Sequence, residues 1–142
     1  MAGKIIADTL ETGAGADIAT SYVVNGSAKA WVNFNGIGTV AVRDSLNASS
    51  IQDNGTGYYS LNFSSSTANI NYSVSGGTNG SNNSFPTAAS TSGDIRFHAS
   101  TTSPFKVQPT TSAFTITVAP DSNLGAPMDI EWASANIHGD LA

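Results

Sequence analysis

The segment from Ala28 to Val74 reads AKAWVNFNGIGTVAVRDSLNASSIQDNGTGYYSLNFSSSTANINYSV and carries a repeated β-strand pattern. In Ala30–Phe34, the apolar Val32 and Phe34 lie on one face, and the polar Asn33 lies on the other face together with Trp31. This two-residue period is typical of a strand with one face toward a core. The same alternation returns in two later segments, whose apolar members are Tyr59, Leu61, Phe63, Ile70, Tyr72 and Val74.

Turn-forming residues separate these predicted strands. Asn35-Gly36 follows the first strand directly, and Asp53–Gly57 precedes the strand that begins at Tyr58. Asn and Gly both tolerate the positive φ that a tight hairpin requires. Thr39–Arg43 and Asn47–Ile51 supply further strands. Short strands at this spacing predict an all-β fold, an antiparallel β-sandwich or jelly-roll-like domain.

The segment before this pattern is less regular. Lys4–Leu10 is a possible first strand, Glu11–Ala19 is rich in Gly and Ala and is interpreted as a loop, and Ser21–Val24 is a possible strand closed by an Asn25-Gly26 turn. Two interpretations stay open for this segment: an extended arm that docks on a neighbouring chain, or an ordinary first strand. We therefore divide the chain into an N-terminal extended docking segment, residues 1–27, and a β-sandwich domain, residues 28–142.

The later part of the chain begins with Gly76–Gly93, a polar loop of low complexity. Its lone aromatic, Phe85, either contacts a partner or pins the loop to the core, and the residues predicted to contact a partner are Asn79, Asn82, Asn83 and Phe85. Strand patterns resume in Ile95–His98, Phe105–Gln108 and Ala113–Val118. The final predicted strand, Met128–Ile137, places Met128, Ile130 and Trp132 on one face against Asp129 and Glu131. No segment has the pattern of an amphipathic helix.

The alternation also predicts which side chains pack in the core or between subunits. These residues are Trp31, Phe34, Val40, Val42, Tyr59, Leu61, Phe63, Tyr72, Phe114, Ile116 and Trp132.

Composition excludes several classes of function. The net charge is −5 and only 11% of residues are charged, so there is no basic stripe for nucleic acid. Ser, Thr and Asn make up about a third of the chain and supply a neutral polar surface. We expect no membrane insertion and no secretory signal, because no apolar run is long enough. The absence of cysteine excludes disulfides and zinc–thiolate sites.

No catalytic, cofactor-binding or metal site is predicted. His98 and His138 are the only imidazoles, and neither has a nucleophile or acid at a meaningful spacing. The acids Asp129 and Glu131, like Asp8 and Glu11, are interpreted as ordinary polar surface rather than a glycosidase pair. Asp53–Gly57 is interpreted as a hairpin turn, because the acidic ligands of a calcium loop are missing.

One block of the sequence resembles structural proteins of small tailed bacteriophages, of the tail-fibre or fibre-like appendage type. The block is KAWVNFNG at residues 29–36 followed by GTVAVRDS at residues 38–45 and DNGTG at residues 53–57. Similar segments continue in order to the C-terminus, namely Ser49–Ile51, Tyr59–Phe63, Asn71–Val74, Phe105–Gln108, Phe114–Ile116 and Ala135–Asp140. The resemblance implies a β-rich, non-enzymatic virion protein that is homotrimeric, and it brings no catalytic residues.

The expected function is therefore a homotrimeric tail-fibre or host-contact appendage, exposed on the virion and made in the host cytoplasm. Its expected partners are further copies of itself, other tail or capsid proteins and a host surface glycan or receptor. A capsid decoration (cement) protein is the first alternative. A carbohydrate-binding module is the second, and it requires several aromatic side chains on one exposed face.

Overall fold

The computed structural model describes residues 6–79, 93–96, 109–120 and 127–140, and these residues form an all-β protein with one short helix. The elements in chain order are β1 (Thr9–Glu11), β2 (Asp17–Ala19), α1 (Thr20–Gly26), β3 (Ala30–Asn35), β4 (Ala41–Leu46), β5 (Ala48–Gly55), β6 (Tyr58–Phe63), β7 (Ser73–Asn79), β8 (Gly93–Arg96), β9 (Ala113–Pro120) and β10 (Trp132–His138). The all-β prediction is confirmed. In these residues, no helix is both long enough and apolar enough to cross a membrane.

The strands of the described chain form two four-stranded sheets and a separate two-stranded hairpin. The first sheet, which we name the β3 sheet, has the order β4-β3-β10-β7, and the second, the β6 sheet, has the order β5-β6-β9-β8. The hairpin joins β1 to β2. The pairing is antiparallel in both sheets and in the hairpin, as the turn-separated strand pattern predicts.

The hydrophobic core lies between the two four-stranded sheets. Phe34 from β3 meets Tyr59 from β6 edge to face, with ring centroids 4.9 Å apart. The buried apolar cluster comprises Ala30, Val32, Phe34, Tyr59, Leu61, Phe63, Phe114, Ile116, Val118, Ile130, Ala133, Ala135 and Ile137. Because both sheets contribute alternate residues, the arrangement is sandwich-like.

The residues predicted to pack in the core or between subunits divide into three groups. Those in the buried cluster are Phe34, Tyr59, Leu61, Phe63, Phe114 and Ile116. Val40 and Tyr72 are partly buried against that cluster, and Trp31 is half-buried on the opposite face of β3. Val42 is 39% exposed and Trp132 is 43% exposed, so neither belongs to the core of this chain. For these two, packing between subunits stays a prediction.

The interpretation of Ser21–Val24 as a strand is wrong, because these residues lie in helix α1. The interpretation of Glu11–Ala19 as a loop is wrong in part, since it contains β2. Contacts from elsewhere in the chain hold the helix against the preference of its β-branched residues: the ammonium of Lys29 donates to the carbonyl of Val24.

The predicted face of Trp132 is also wrong. Ile130 is fully buried, but a bend at Glu131 precedes β10 and changes the alternation, so that Trp132 lies outside. Inside this part of the β3 sheet the chain places small side chains instead, Ala133 and Ala135. Asp129 is half-buried rather than part of a solvent-facing pair with Glu131.

A single residue, Asn47, joins the β3 sheet to the β6 sheet. It lies between β4 and β5 with a φ of 53°. Its carboxamide is fixed by Ser65, whose backbone N–H donates to Oδ1 over 2.7 Å and whose carbonyl accepts from Nδ2 over 3.0 Å. This corner turns the chain from one sheet directly into the next.

Some predictions lie outside the described residues. They concern the side chain of Asn79, the loop residues Asn82, Asn83 and Phe85, the strand Phe105–Gln108, and His98. The predicted loop Gly76–Gly93 is wrong at both ends, because Gly76–Asn79 pair with β10 as part of β7 and Gly93 is the first residue of β8.

Candidate functional site

The outer face of the β3 sheet carries two tryptophans among polar side chains. The strand register places Trp31 opposite Asn136 and Asn33 opposite Ser134. On the other side of β10, Ser134 is opposite Gly77. Trp31 is half-buried in this face, whereas Trp132, at the start of β10, is 43% exposed.

Arg43 holds the indole ring of Trp132. A register shift between Asn33 and Phe34 makes Arg43 the extra residue of a bulge in β4. Its guanidinium carbon lies 3.7 Å from the centroid of the Trp132 ring, within the range of a cation–π contact. Its Nη2 donates to the carbonyl of Glu131 over 2.8 Å, with the Glu131 carboxylate 3.9 Å away. The ring is therefore fixed from one side.

A groove of about 300 Å³ opens beside this ring. It is lined by Asn33, Gly77, Thr78, Trp132, Ala133 and Ser134. A volume of this size is at the small end of the range for ligand sites in proteins. In the described part of the chain, no charged side chain lines it.

Asn33 contributes an unusual polar group to the groove lining. Its side-chain oxygen Oδ1 is shielded from solvent, and within the described residues it has no hydrogen-bond partner. Buried polar atoms in proteins are nearly always paired, and solvent does not reach this oxygen, so a donor in the groove can bond to it only after the Asn33 carboxamide rotates. Ser134 adds a hydroxyl whose only described bond is a long one, 3.4 Å to the carbonyl of Gly77.

The acids and imidazoles considered for catalysis do not converge. The Oδ1 of Asp129 accepts from the hydroxyl of Tyr59 and from the backbone N–H of Gly57, each over 2.8 Å. Burial raises the pKa of the Tyr59 phenol well above its ordinary value, and the Asp129 carboxylate raises it further. The phenol therefore stays protonated and acts as a structural donor. Glu131 turns away from this pair toward Arg43.

His138 and Lys29 both support the end of helix α1. The ring Nδ1 of His138 lies 3.2 Å from the carbonyl oxygen of Gly26. The ammonium of Lys29 donates to the carbonyl of Val24 and to the hydroxyl of Ser27, the latter over 3.0 Å. The Lys29 ammonium, a cation at a helix C-terminus, satisfies free carbonyls of the last turn. Both residues thus anchor the N-terminal segment.

Residues 6–24 form a second candidate surface. The majority of the large apolar side chains exposed in the described residues lie here, namely Ile6, Leu10, Ile18, Tyr22, Val23 and Val24. Tyr22 is 71% exposed, and none of the residues of α1 is buried. This surface, which we name the arm surface, adds nothing to the core.

The Asp53–Gly57 segment completes β5 and makes the hairpin turn to β6 at Thr56 and Gly57. Asp53 Oδ1 accepts from the backbone N–H of Gly55 over 2.9 Å. Gly57 has a φ of 72°, and a side chain there would strike the backbone of Met128 and Val118. The described chain brings together no group of three or more His, Cys, Asp or Glu side chains that suits a metal ion.

Sequence reasoning did not single out Asn33, Arg43, Gly77 or Ser134 as site residues. Their meeting depends on strands that are distant in sequence and on a bulge that no local pattern announces. A comparison of this chain with protein-family models, with curated proteins and with solved structures finds no match in any of the three.

Proposed function

We propose that this chain is a non-enzymatic structural protein of a tailed-phage virion, a tail-fibre or host-contact appendage that assembles as a homotrimer. The observation that carries the proposal is the arm surface of residues 6–24, which the rest of the described chain leaves uncovered. The phage resemblance of the sequence after Ala28 supports the virion surface as its location and three as the number of copies.

The arm surface favours assembly on energetic grounds. Burying one large apolar side chain that water now covers contributes about 1.5–3 kcal/mol. Ile6, Tyr22 and Val24 are all more than half exposed. Every copy carries the same surface, so a closed ring of copies can cover all of them at once. A second copy of this chain is therefore the occupant that we propose for the arm surface.

The absence of enzymatic activity is supported by how the candidate groups are used. Asp129 is bonded to Tyr59, Glu131 is paired with Arg43, and His138 is bonded at the end of α1. Each group has a structural partner in the described chain, and none faces a second catalytic group.

A capsid decoration protein is the closest alternative, because the same arm surface also suits a clamp on neighbouring capsid subunits. The two roles differ in copy number. Locating the chain in a reconstruction of the virion distinguishes them, since a tail protein occurs in few copies near the portal and a decoration protein occurs in hundreds.

Light scattering on the purified full chain tests the assembly. We expect a mass three times that of the 14.5 kDa chain at micromolar concentration. The double variant Tyr22→Ser, Val24→Ser should lower this mass toward that of one chain, because it removes apolar area from the arm surface without touching the core.

The matched control is Ile70→Ser, which removes an apolar side chain that is 53% exposed from outside the arm surface. It should keep the assembled mass. A wild-type mass equal to one chain would overturn the proposal, and so would dissociation by the control to the same extent as by the arm variant.

A further inference from the structure

We infer that the groove on the outer face of the β3 sheet is a binding site for a neutral saccharide. This inference gives the host-contact role a ligand class, and it rests on the proposed function only for its biological setting. The binding itself is a property of the groove and can be measured whether or not the chain assembles.

Trp132 provides the first element of such a site. The C–H bonds of a pyranose ring carry partial positive charge and pack well on the electron-rich face of an indole. Arg43 fixes the ring from one side at 3.7 Å, so little side-chain entropy is lost when a ligand packs on the exposed part. An indole that is 43% exposed yet held in place is a preformed platform.

Asn33 and Ser134 provide the polar elements. The Oδ1 of Asn33 is shielded and without a partner in the described chain, so a rotation of the carboxamide that brings Oδ1 to a sugar hydroxyl would satisfy a group that is otherwise costly to leave unpaired. The Ser134 hydroxyl, with its long 3.4 Å bond, can reorient to donate to a second sugar oxygen. A ligand with several adjacent hydroxyl groups can bond to both the Asn33 carboxamide and the Ser134 hydroxyl.

The charge and the size of the groove narrow the ligand class. The described lining is free of charged side chains, and the nearby Arg43 guanidinium is already paired with the Glu131 carboxylate, which favours a neutral sugar over a phosphate or carboxylate ligand. The volume of about 300 Å³ suits a short saccharide rather than a folded partner.

Gly77 keeps the groove open. A Cβ placed on Gly77 meets nothing within 4 Å, so a larger residue there fits the fold and projects into free space. The neighbouring Gly76 is different, because a Cβ there would collide with the carbonyl oxygen of Ser134. Gly77→Leu therefore fills the groove without disturbing the sheet.

The experiment uses the full chain and a panel of neutral tetrasaccharides built from glucose, galactose or N-acetylglucosamine, with sialylated and sulfated sugars alongside. Binding is followed by tryptophan fluorescence and by calorimetry. We expect at least one neutral sugar to bind and to shift the fluorescence. We expect Trp132→Ala and Gly77→Leu each to weaken its binding by about tenfold or more.

Leu46→Ala is the matched control. Leu46 is exposed on the same sheet, opposite Trp31, and does not line the groove, so its variant should bind as the wild type does. Circular dichroism should show Gly77→Leu to be folded. The inference is overturned if no neutral sugar binds at millimolar concentration, if only the anionic sugars bind, or if Gly77→Leu binds as tightly as the wild type. Light scattering on the same samples reports assembly separately, so a failure of the groove and a failure of the trimer are distinguishable.

Discussion

Tyr59 shows how one side chain ties the two sheets together. Its ring lies in the core against Phe34, while its hydroxyl reaches the Asp129 carboxylate over 2.8 Å and the carbonyl of Gly36 over 3.1 Å. Gly36 has to be glycine at this point, since a Cβ would collide with the Tyr59 hydroxyl. The Asn35-Gly36 pair was predicted as a turn from its sequence, but the close approach to Tyr59 is a tertiary constraint that no local pattern contains.

Tyr59→Phe should destabilise the protein by about 1–3 kcal/mol, because it removes the hydroxyl and leaves the buried Gly36 carbonyl and the Asp129 oxygen short of a donor. Urea unfolding monitored by circular dichroism measures the change. Tyr22→Phe, at an exposed position, is the control and should change the free energy of unfolding by less than about 0.5 kcal/mol. Equal effects of the two variants would contradict the structural role of the Tyr59 hydroxyl.

Strands β3 and β6 are the elements that the sequence predicts best, because large apolar residues alternate with polar ones in both. β10 is predicted worse. Its inner face is built from Ala133, Ala135 and Ile137, and the small alanines give a weaker pattern than the outward-facing Trp132. Helix α1 is missed because its Val23-Val24 pair favours a strand, whereas Lys29 and His138, which contact the carbonyls of Val24 and Gly26, support its C-terminal end.

The corner between β4 and β5 depends on Asn47. Asn47→Ala should destabilise the protein by about 2 kcal/mol, because alanine is disfavoured at a φ of 53° and makes neither of the bonds to Ser65. Asn47→Gly should cost about half as much, since glycine adopts this φ freely and loses only the side-chain bonds. Thermal and urea unfolding measure both variants. The reverse order would show that the backbone conformation of Asn47 is not under constraint.

The molecule relies on neutral polar and apolar side chains rather than on ion pairs. Only 11% of the residues are charged, and Arg43–Glu131 is the salt bridge among the described residues. The all-β class and the inner faces of the first strands follow from sequence periodicity. The groove cannot be predicted from periodicity, because Asn33 and Ser134 are brought together by pairing between β3 and β10, which lie far apart in the chain.

Two tyrosines, one buried and one partly buried, make the stability of the protein sensitive to alkaline pH. Burial raises the pKa of Tyr72 to about 12, from the 10.0 of an exposed tyrosine, and burial also raises the pKa of Tyr59. The folded state therefore holds these phenol protons more tightly than the unfolded chain does. The stability that these two phenols contribute is fully present below pH 10 and should be lost as the pH rises from 10 toward 12. Urea unfolding midpoints measured between about pH 8 and about pH 12 test this loss of stability. That range extends about two pH units to either side of the pKa of an ordinary tyrosine.

Tyr72→Phe should reduce that alkaline loss, because its hydroxyl, which donates to the carbonyls of Thr110 and Ala113, no longer titrates. A flat pH profile for the wild-type protein would contradict the tighter proton binding in the folded state.

The one-residue corner at Asn47 has a consequence for how the protein opens. Because β4 and β5 belong to different sheets and only Asn47 separates them, neither strand can slide along its neighbour without pulling the other. Local unfolding of the edge strand β4 in the β3 sheet therefore also disturbs β5 in the β6 sheet. The amide protons of β4 and β5 should exchange with solvent in the same concerted event, with the two layers behaving as a single cooperative unit.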